Sequence, residues 1–207
     1  MRFLQYIVER EQERGTLNVF DIDETLFRTF AKILVKKNGK KVRELDNQQF
    51  NTYKLKPGEE YDFGQFRDAE HFAKTSVPID RMFNKAKAII RNQKGVSKTI
   101  LLTARADFND REKFLQTFRD YGFPIDDVHV ERAGNLDKFK KGGSYPALNK
   151  MVVLRRYIKT GNYNRIRVYD DSERNLAAIM KLKDIHPEIE VEAWLVNHEG
   201  YVTRFGG

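Results

Sequence analysis

A chain of 207 residues, 40% apolar and 33% charged, is long enough for one sizeable domain or a domain with a large insertion, and needs no staples to hold its core. The absence of cysteine excludes disulfides, thiol catalysis and cysteine-bound zinc, and matches the reducing cytoplasm in which the protein is expected. A net charge of +8 favours anionic partners such as nucleic acid, nucleotides or phosphorylated metabolites.

The first residues, MRFLQYIVEREQERG, carry too short an apolar run for a secretory signal. No stretch approaches the ~20 apolar residues of a membrane helix, so no membrane partner is expected. The first strand is predicted at 16–21, in TLNVFD. It runs into two carboxylates one residue apart, Asp21 and Asp23, with Glu24 and Thr25 behind them. Alternate side chains of a strand share a face, so both aspartates are expected on one side. Like charges beside an apolar core are costly unless something pairs them.

From 27 to 79 the strand–helix rhythm is lost. FRTFAKILVKKNGKKVREL reads as a hairpin turning at Asn38-Gly39, followed by NQQFNTYKL and the turn-rich KPGEEYDFGQF. This interval is expected to be an insertion into a core made of 1–26 and 80–207. Its stretch from Arg28 to Arg43 holds seven basic residues (Arg28, Lys32, Lys36, Lys37, Lys40, Lys41, Arg43) and no acidic one.

A helix is predicted at 80–92, where Met82, Phe83, Ala86, Ile89 and Ile90 share a face. The strand 99–103 ends in Thr103 and Arg105. A helix at 109–121 opens with an Asn cap in NDRE and stops at Gly122. A short strand at 128–130 leads to a flexible connection at 133–146. The helix 146–160 starts at a proline and carries Lys150 in its first turn. The strand 166–169 ends in Asp170 and Asp171, a helix covers 172–183, and a strand 189–196 precedes a tail expected to add an edge strand or hairpin. Strands alternating with helices predict an α/β fold with a parallel sheet.

Ligands of such sheets collect at the carboxyl ends of the strands. Asp21, Asp23, Thr103, Arg105, Lys150, Asp170 and Asp171 are therefore expected to converge. Four carboxylates in one crevice repel, and a divalent cation offsets the repulsion. Ligands that are all oxygen favour Mg2+. One aspartate can then attack phosphorus while the other transfers protons, with lysine, hydroxyl and metal neutralising the phosphoryl oxygens.

VFDIDETLF, ILLTAR, Lys150 and VYDDSERN resemble, in order and spacing, the four motifs of the haloacid dehalogenase superfamily of phosphotransferases. The resemblance implies a Rossmann-like core, with 27–79 as its cap. It implies Asp21 as nucleophile and Asp23 as general acid/base, with the Asp23 backbone carbonyl on the metal. Thr103 would bind the phosphoryl group and Lys150 would bridge it to the nucleophile. Asp170 and Asp171 would complete a metal set of Asp21, Asp23, Asp170 and Asp171, without a choice between the last two. Lys138, Lys140 and Lys141 compete with Lys150 for its role. Thr25 and Arg105 are expected on the substrate side, and Asp23 argues for phosphate rather than carbon–halogen chemistry.

The hairpin lysines Lys36, Lys37, Lys40 and Lys41 are expected to follow a polynucleotide backbone. The aromatics Phe50, Tyr53, Tyr61, Phe63, Phe66 and Phe72 either stack on bases or form the insertion's own small core. The pair Thr103 and Arg105 resembles the T-x-R of the 3′-phosphatase domain of phage-type polynucleotide kinase–phosphatases. No G-x-x-x-x-G-K-[ST] loop occurs, so no kinase half is expected. The expected function is a Mg2+-dependent phosphomonoesterase acting on nucleic-acid 3′-phosphate ends or nucleotides. The alternatives are a phosphatase of a small phosphorylated metabolite and a catalytically silent nucleic-acid-binding protein. Asp21→Asn and Asp23→Asn are each expected to abolish turnover without unfolding the chain, because they also relieve repulsion.

Overall fold

The computed structural model describes residues 13–136 and 146–206. The strand β1 (Gly15–Phe20) sits inside a six-stranded sheet, which explains its apolar sequence: both of its faces are covered. Leu17 and Val19 enter one core, and Phe20 enters the other. After β1 come β2 (Phe27–Arg28), β3 (Ile33–Lys37), β4 (Lys40–Leu45), α1 (Asn47–Thr52), β5 (Glu59–Asp62), α2 (Ala69–Thr75) and β6 (Val77–Pro78). The chain continues through α3 (Asp80–Asn92), β7 (Lys98–Thr103), α4 (Arg111–Asp120), β8 (His129–Arg132), α5 (Pro146–Ile158) and β9 (Tyr163–Asp170). It closes with α6 (Glu173–Met180), α7 (Leu182–Ile185), β10 (Glu190–Val196) and β11 (Val202–Arg204).

The sheet order is β11-β10-β9-β1-β7-β8, parallel except for β11, which pairs antiparallel at one edge. The expected α/β class with a mostly parallel sheet between helices is thus the observed one. One layer packs Phe72 of α2, Met82 and Phe83 of α3, and Phe114 and Phe118 of α4 with Phe20 and Leu101. The other packs Val153 and Leu154 of α5 and Leu176 and Ile179 of α6 with Leu17, Val19, Ile100 and Leu102. Alternate residues of β1 and β7 feed opposite layers, as strand geometry requires.

Several boundaries differ from the sequence reading. The cap of α4 is Asp110, whose carboxylate accepts from the Lys113 N–H, and not Asn109. Asn109 instead accepts the Ala69 N–H at 3.0 Å, tying the start of α2 to the loop before α4. The helix expected at 172–183 is two, α6 and α7, with Ser172 capping the first. The connection expected at 133–146 begins with a 3-10 turn at Ala133–Asn135, and most of the rest lies outside the described residues.

The interval 27–79 is more ordered than its sequence suggests. Asn38 and Gly39, with φ of 51° and 74°, make the tight turn between β3 and β4. β5 then pairs with the other side of β3, giving a sheet of order β4-β3-β5. Its core is Ile33, Val35 and Leu45, with Phe50, Tyr53, Tyr61 and Phe66 packed against them. The two-residue pairing of β2 with β6 brings the two ends of the excursion together. Its last helix, α2, buries Ala69 and Phe72 in the main core. Among the described residues no helix is long and apolar enough to cross a membrane.

Candidate active site

The Asp21 N–H donates to the Tyr169 carbonyl at 3.0 Å, so the chain keeps its register one residue beyond β1. It then turns tightly. Leu26 and Phe27 both donate to the Ile22 carbonyl, Glu24 adopts a φ of 57°, and the Glu24 carboxylate accepts the Thr29 N–H. The two aspartates, expected to share one side, fan out toward the two strands that flank β1. Asp21 meets the β9 side and Asp23 the β7 side.

On the β9 side, Lys150 of α5 is buried, its Nζ 2.5 Å from Asp21 Oδ1 and 2.7 Å from Asp170 Oδ2. Asp170 ends β9 and is saturated. Its Oδ1 accepts from the Ser172 N–H and from Asn175, and its Oδ2 accepts from Lys150 and Asn175. Asp171, by contrast, stands exposed at the rim. One carboxylate oxygen from each of Asp21, Asp170 and Asp171 lies within 4.8 Å of the others.

On the β7 side, Arg105 grips Asp23 with both arms of its fork. Nε lies 2.9 Å from Oδ2, and Nη2 lies 2.6 Å from Oδ1. Nη1 donates to the Phe66 carbonyl at 3.0 Å, and the rings of Phe66, Phe72 and Phe108 surround the guanidinium. The Thr103 hydroxyl accepts the Arg105 N–H at 3.1 Å and stands 3.5 Å from Asp23. Gly134 lets the turn after β8 approach the Arg105 segment closely, where its N–H donates to the Arg105 carbonyl.

The carboxylates therefore have protein partners: Lys150, which the sequence reading set beside Asp21, and Arg105, which it placed on the substrate side and did not pair with Asp23. With all four aspartates ionised, these two cations would leave a charge of −2, which one divalent cation would cancel. Burial pushes the Asp21 carboxyl up to about 7, against the pull of Lys150 and with the push of Asp170 and Asp23. Burial, then the Asp21 and Asp170 charges, push Asp171 up to about 9, although its contact with solvent tempers the shift. Burial would raise Asp23 too, but Arg105 outweighs it and holds that carboxyl below its ordinary value. Burial would likewise deprotonate Lys150, and the Asp170 and Asp21 charges overcome it, keeping the ammonium charged.

Asp21, Asp23, Thr103, Arg105, Lys150, Asp170 and Asp171 thus come together at the carboxyl ends of β1, β7 and β9. Asp23 stands apart from the acidic triad, because both of its oxygens face Arg105. Arg105 is itself buried, so it reaches Asp23 rather than open solvent. Thr25 is fully buried, its hydroxyl without a hydrogen-bond partner among the described residues, and it offers no surface to a substrate.

The hairpin is less basic in space than in sequence. Lys36 pairs with Asp62 at 2.5 Å and Lys41 with Glu44 at 2.7 Å, while Lys37 and Lys40 are exposed at the turn. Arg28 binds the His198 carbonyl, and Arg43 lies over the Tyr53 ring. Of the aromatics, Phe72 belongs to the main core and Phe50, Tyr53, Tyr61 and Phe66 to the small one, with Phe63 beside Phe50, Tyr61 and Phe66. Lys138, Lys140 and Lys141 lie outside the described residues.

Sequence reasoning gave no role at this site to Asn175, which closes the VYDDSERN motif, to Phe66, which it counted among the insertion's aromatics, or to Gly134. Asn175 had a signal, since it follows Ser172 by three at the start of a helix. Phe66 had none, because its carbonyl and ring act across 39 residues of chain. No family model, curated protein or solved structure matches this chain.

Proposed function

We propose that the chain is a Mg2+-dependent phosphomonoesterase of haloacid dehalogenase type, working through an aspartyl phosphate on Asp21 and acting on nucleic-acid 3′-phosphate ends or nucleotides. The observation that carries this reading is the cluster of Asp21, Asp170 and Asp171 around Lys150, with the Arg105-bound Asp23 beside it. The donors fit a hard cation: all are carboxylate oxygens, and the charge left over is −2. Asp171, Asp21 through the Oδ1 that it shares with Lys150, and the Asp23 backbone carbonyl would hold it, which leaves Asp21 Oδ2 for the phosphorus. Saturated Asp170 would instead fix Lys150. The cation would supply Lewis-acid neutralisation of the phosphoryl oxygens.

The residues divide the chemistry as follows. Lys150 leaves Asp21 Oδ2 free to attack phosphorus. As that bond forms, the ester P–O bond breaks and its electron pair stays on the leaving oxygen; Asp23, which Arg105 holds as a carboxylate in the free protein, passes that oxygen a proton taken from the ester monoanion. Asp23 then takes a proton from water as the water oxygen attacks phosphorus. The bond to Asp21 breaks, which restores its carboxylate and releases phosphate. Arg105 favours the carboxylate form of Asp23 that this second step requires. Lys150 and the Thr103 hydroxyl offset charge on the phosphoryl oxygens.

The second reading, a small phosphorylated metabolite, is favoured by one observation: two of the four hairpin lysines are already paired with acids. A phosphate-release panel with Mg2+ across nucleotides, sugar phosphates and 3′- and 5′-phosphorylated oligonucleotides separates the readings. Release from 3′-phosphorylated oligonucleotides, weakening steeply with salt, supports the first. Release confined to small esters selects the second. No release from any of them, with oligonucleotide binding intact in Asp21→Asn, would leave a silent nucleic-acid-binding protein.

A further inference from the structure

We propose that Phe66 is a positioning residue that sets, through Arg105, how Asp23 faces the reacting ester; this rests on the reading of Asp23 as the acid/base. Arg105 is 3% exposed, and its surroundings are divided between two bodies of structure. Phe72 and Phe108, which flank the guanidinium at 5.2 and 5.4 Å, belong to the main core. Phe66 belongs to the excursion: it ends the turn Gly64–Phe66 and packs on the small core of the β4-β3-β5 sheet. It supplies both the nearest ring, 4.7 Å from the guanidinium carbon, and the carbonyl that takes Nη1.

A guanidinium is a rigid plane, so its hydrogen bonds cannot be adjusted one at a time. Nη1 on the Phe66 carbonyl fixes the direction in which Nε and Nη2 are presented to Asp23. Asp23 keeps 16% of its side chain exposed and depends on that fork for its orientation. The turn is itself anchored on both sides. The Gln65 side chain accepts the Lys32 N–H at 2.8 Å, and the Arg67 carbonyl accepts the Asn109 N–H at 2.8 Å. The seating of the excursion and the direction of the acid/base are thereby one mechanical unit.

The test is Phe66→Ala in the full chain, which keeps the carbonyl but removes the ring that seats it against the guanidinium and the small core, with Phe66→Leu, which keeps an apolar side chain without the ring, used where alanine unfolds the protein. With Mg2+, kcat is measured on an alkyl phosphate, whose leaving oxygen needs a proton, and on 4-nitrophenyl phosphate, whose leaving group does not. The expected result is a fall in kcat on the order of 10- to 100-fold for the alkyl ester, a much smaller fall for the aryl ester, and little change in KM. Equal losses on both esters, or a change confined to KM, would overturn it. A second arm needs no activity: metal-free melting temperatures of Phe66→Ala, Asp23→Asn and the double variant. Coupling through Arg105 predicts that the double loses less than the sum of the singles, and additive losses would overturn the proposal. If the parent releases no phosphate, the phosphatase reading fails separately, and the coupling alone decides whether Phe66 positions Asp23.

Discussion

Replacing Arg105 with methionine removes the fork from a pair whose guanidinium side is 2% exposed and whose carboxylate side is 16% exposed. Removing one partner of a buried pair costs about 3–5 kcal/mol, and the solvent left to Asp23 places this case near 3 kcal/mol. The orphaned Phe66 carbonyl adds about 1 kcal/mol. At about 2–4 °C per kcal/mol for a chain of this size, melting should fall by roughly 8–16 °C. Urea unfolding at pH 7 in a chelator reads the same loss without heat. Asp23→Asn should also destabilise, because it strands a buried guanidinium; the sequence-based expectation of relieved repulsion gives way to Arg105 as the true neighbour. The double variant should regain about 2 kcal/mol over the sum of the singles. The pH dependence has a definite sign. Arg105 holds the Asp23 pKa below its ordinary value, so this stability is present above about pH 4 and is lost as pH falls through the folded value. The parent's advantage over Arg105→Met should therefore close in acid. A single-variant cost under about 1 kcal/mol, or additive losses, would mean that Arg105 and Asp23 are not an energetically coupled pair.

Two further outcomes follow from the same geometry. Gly134→Ala would place a methyl group 2.6 Å from the Ala106 nitrogen, in the backbone segment that carries Arg105, and should cost about 1–3 kcal/mol and most of the turnover together; a variant matching the parent in melting and rate would contradict this. With the Asp21 and Asp171 carboxyls both raised above their ordinary values, a cation must displace protons near neutral pH, so Mg2+ affinity should rise with pH, and calorimetry in buffers of different ionisation enthalpy should show proton release. Both carboxyls are raised, so the folded state binds more protons than the unfolded one above about pH 4; metal-free stability should fall as pH climbs through that window, and Mg2+ should reverse the trend. A pH-independent affinity would count against the acidic triad as the cation site.

The main sheet was legible because its central strands β1 and β7 are buried on both faces and its helices keep a 3.6-residue period, as the Met82, Phe83 and Ala86 face of α3 shows. The candidate site was legible because Asp21, Thr103 and Asp170 stand at strand ends, where parallel sheets gather ligands. The excursion was harder to read. β5 is EEYD, polar enough to pass for a turn, and α2 shows only Ala69 and Phe72 as buried positions in seven residues. The basic count along 28–43 misled for the same reason: Asp62, which neutralises Lys36, arrives from a strand distant in sequence. Period-2 alternation also failed just past Phe20, where the chain leaves the sheet and Asp21 and Asp23 turn to different cations. Pairings that join remote loops, such as Arg105 with Phe66, leave no periodic trace.

The most direct measurement is a crystal structure of the protein grown with magnesium and beryllium trifluoride, a mimic of the phosphoryl group on an aspartate. The expected result is beryllium bonded to Asp21, Lys150 beside its fluorides, and Mg2+ in contact with Asp171. Beryllium on another residue, or Asp21 unmodified with no cation between it and Asp171, would contradict it.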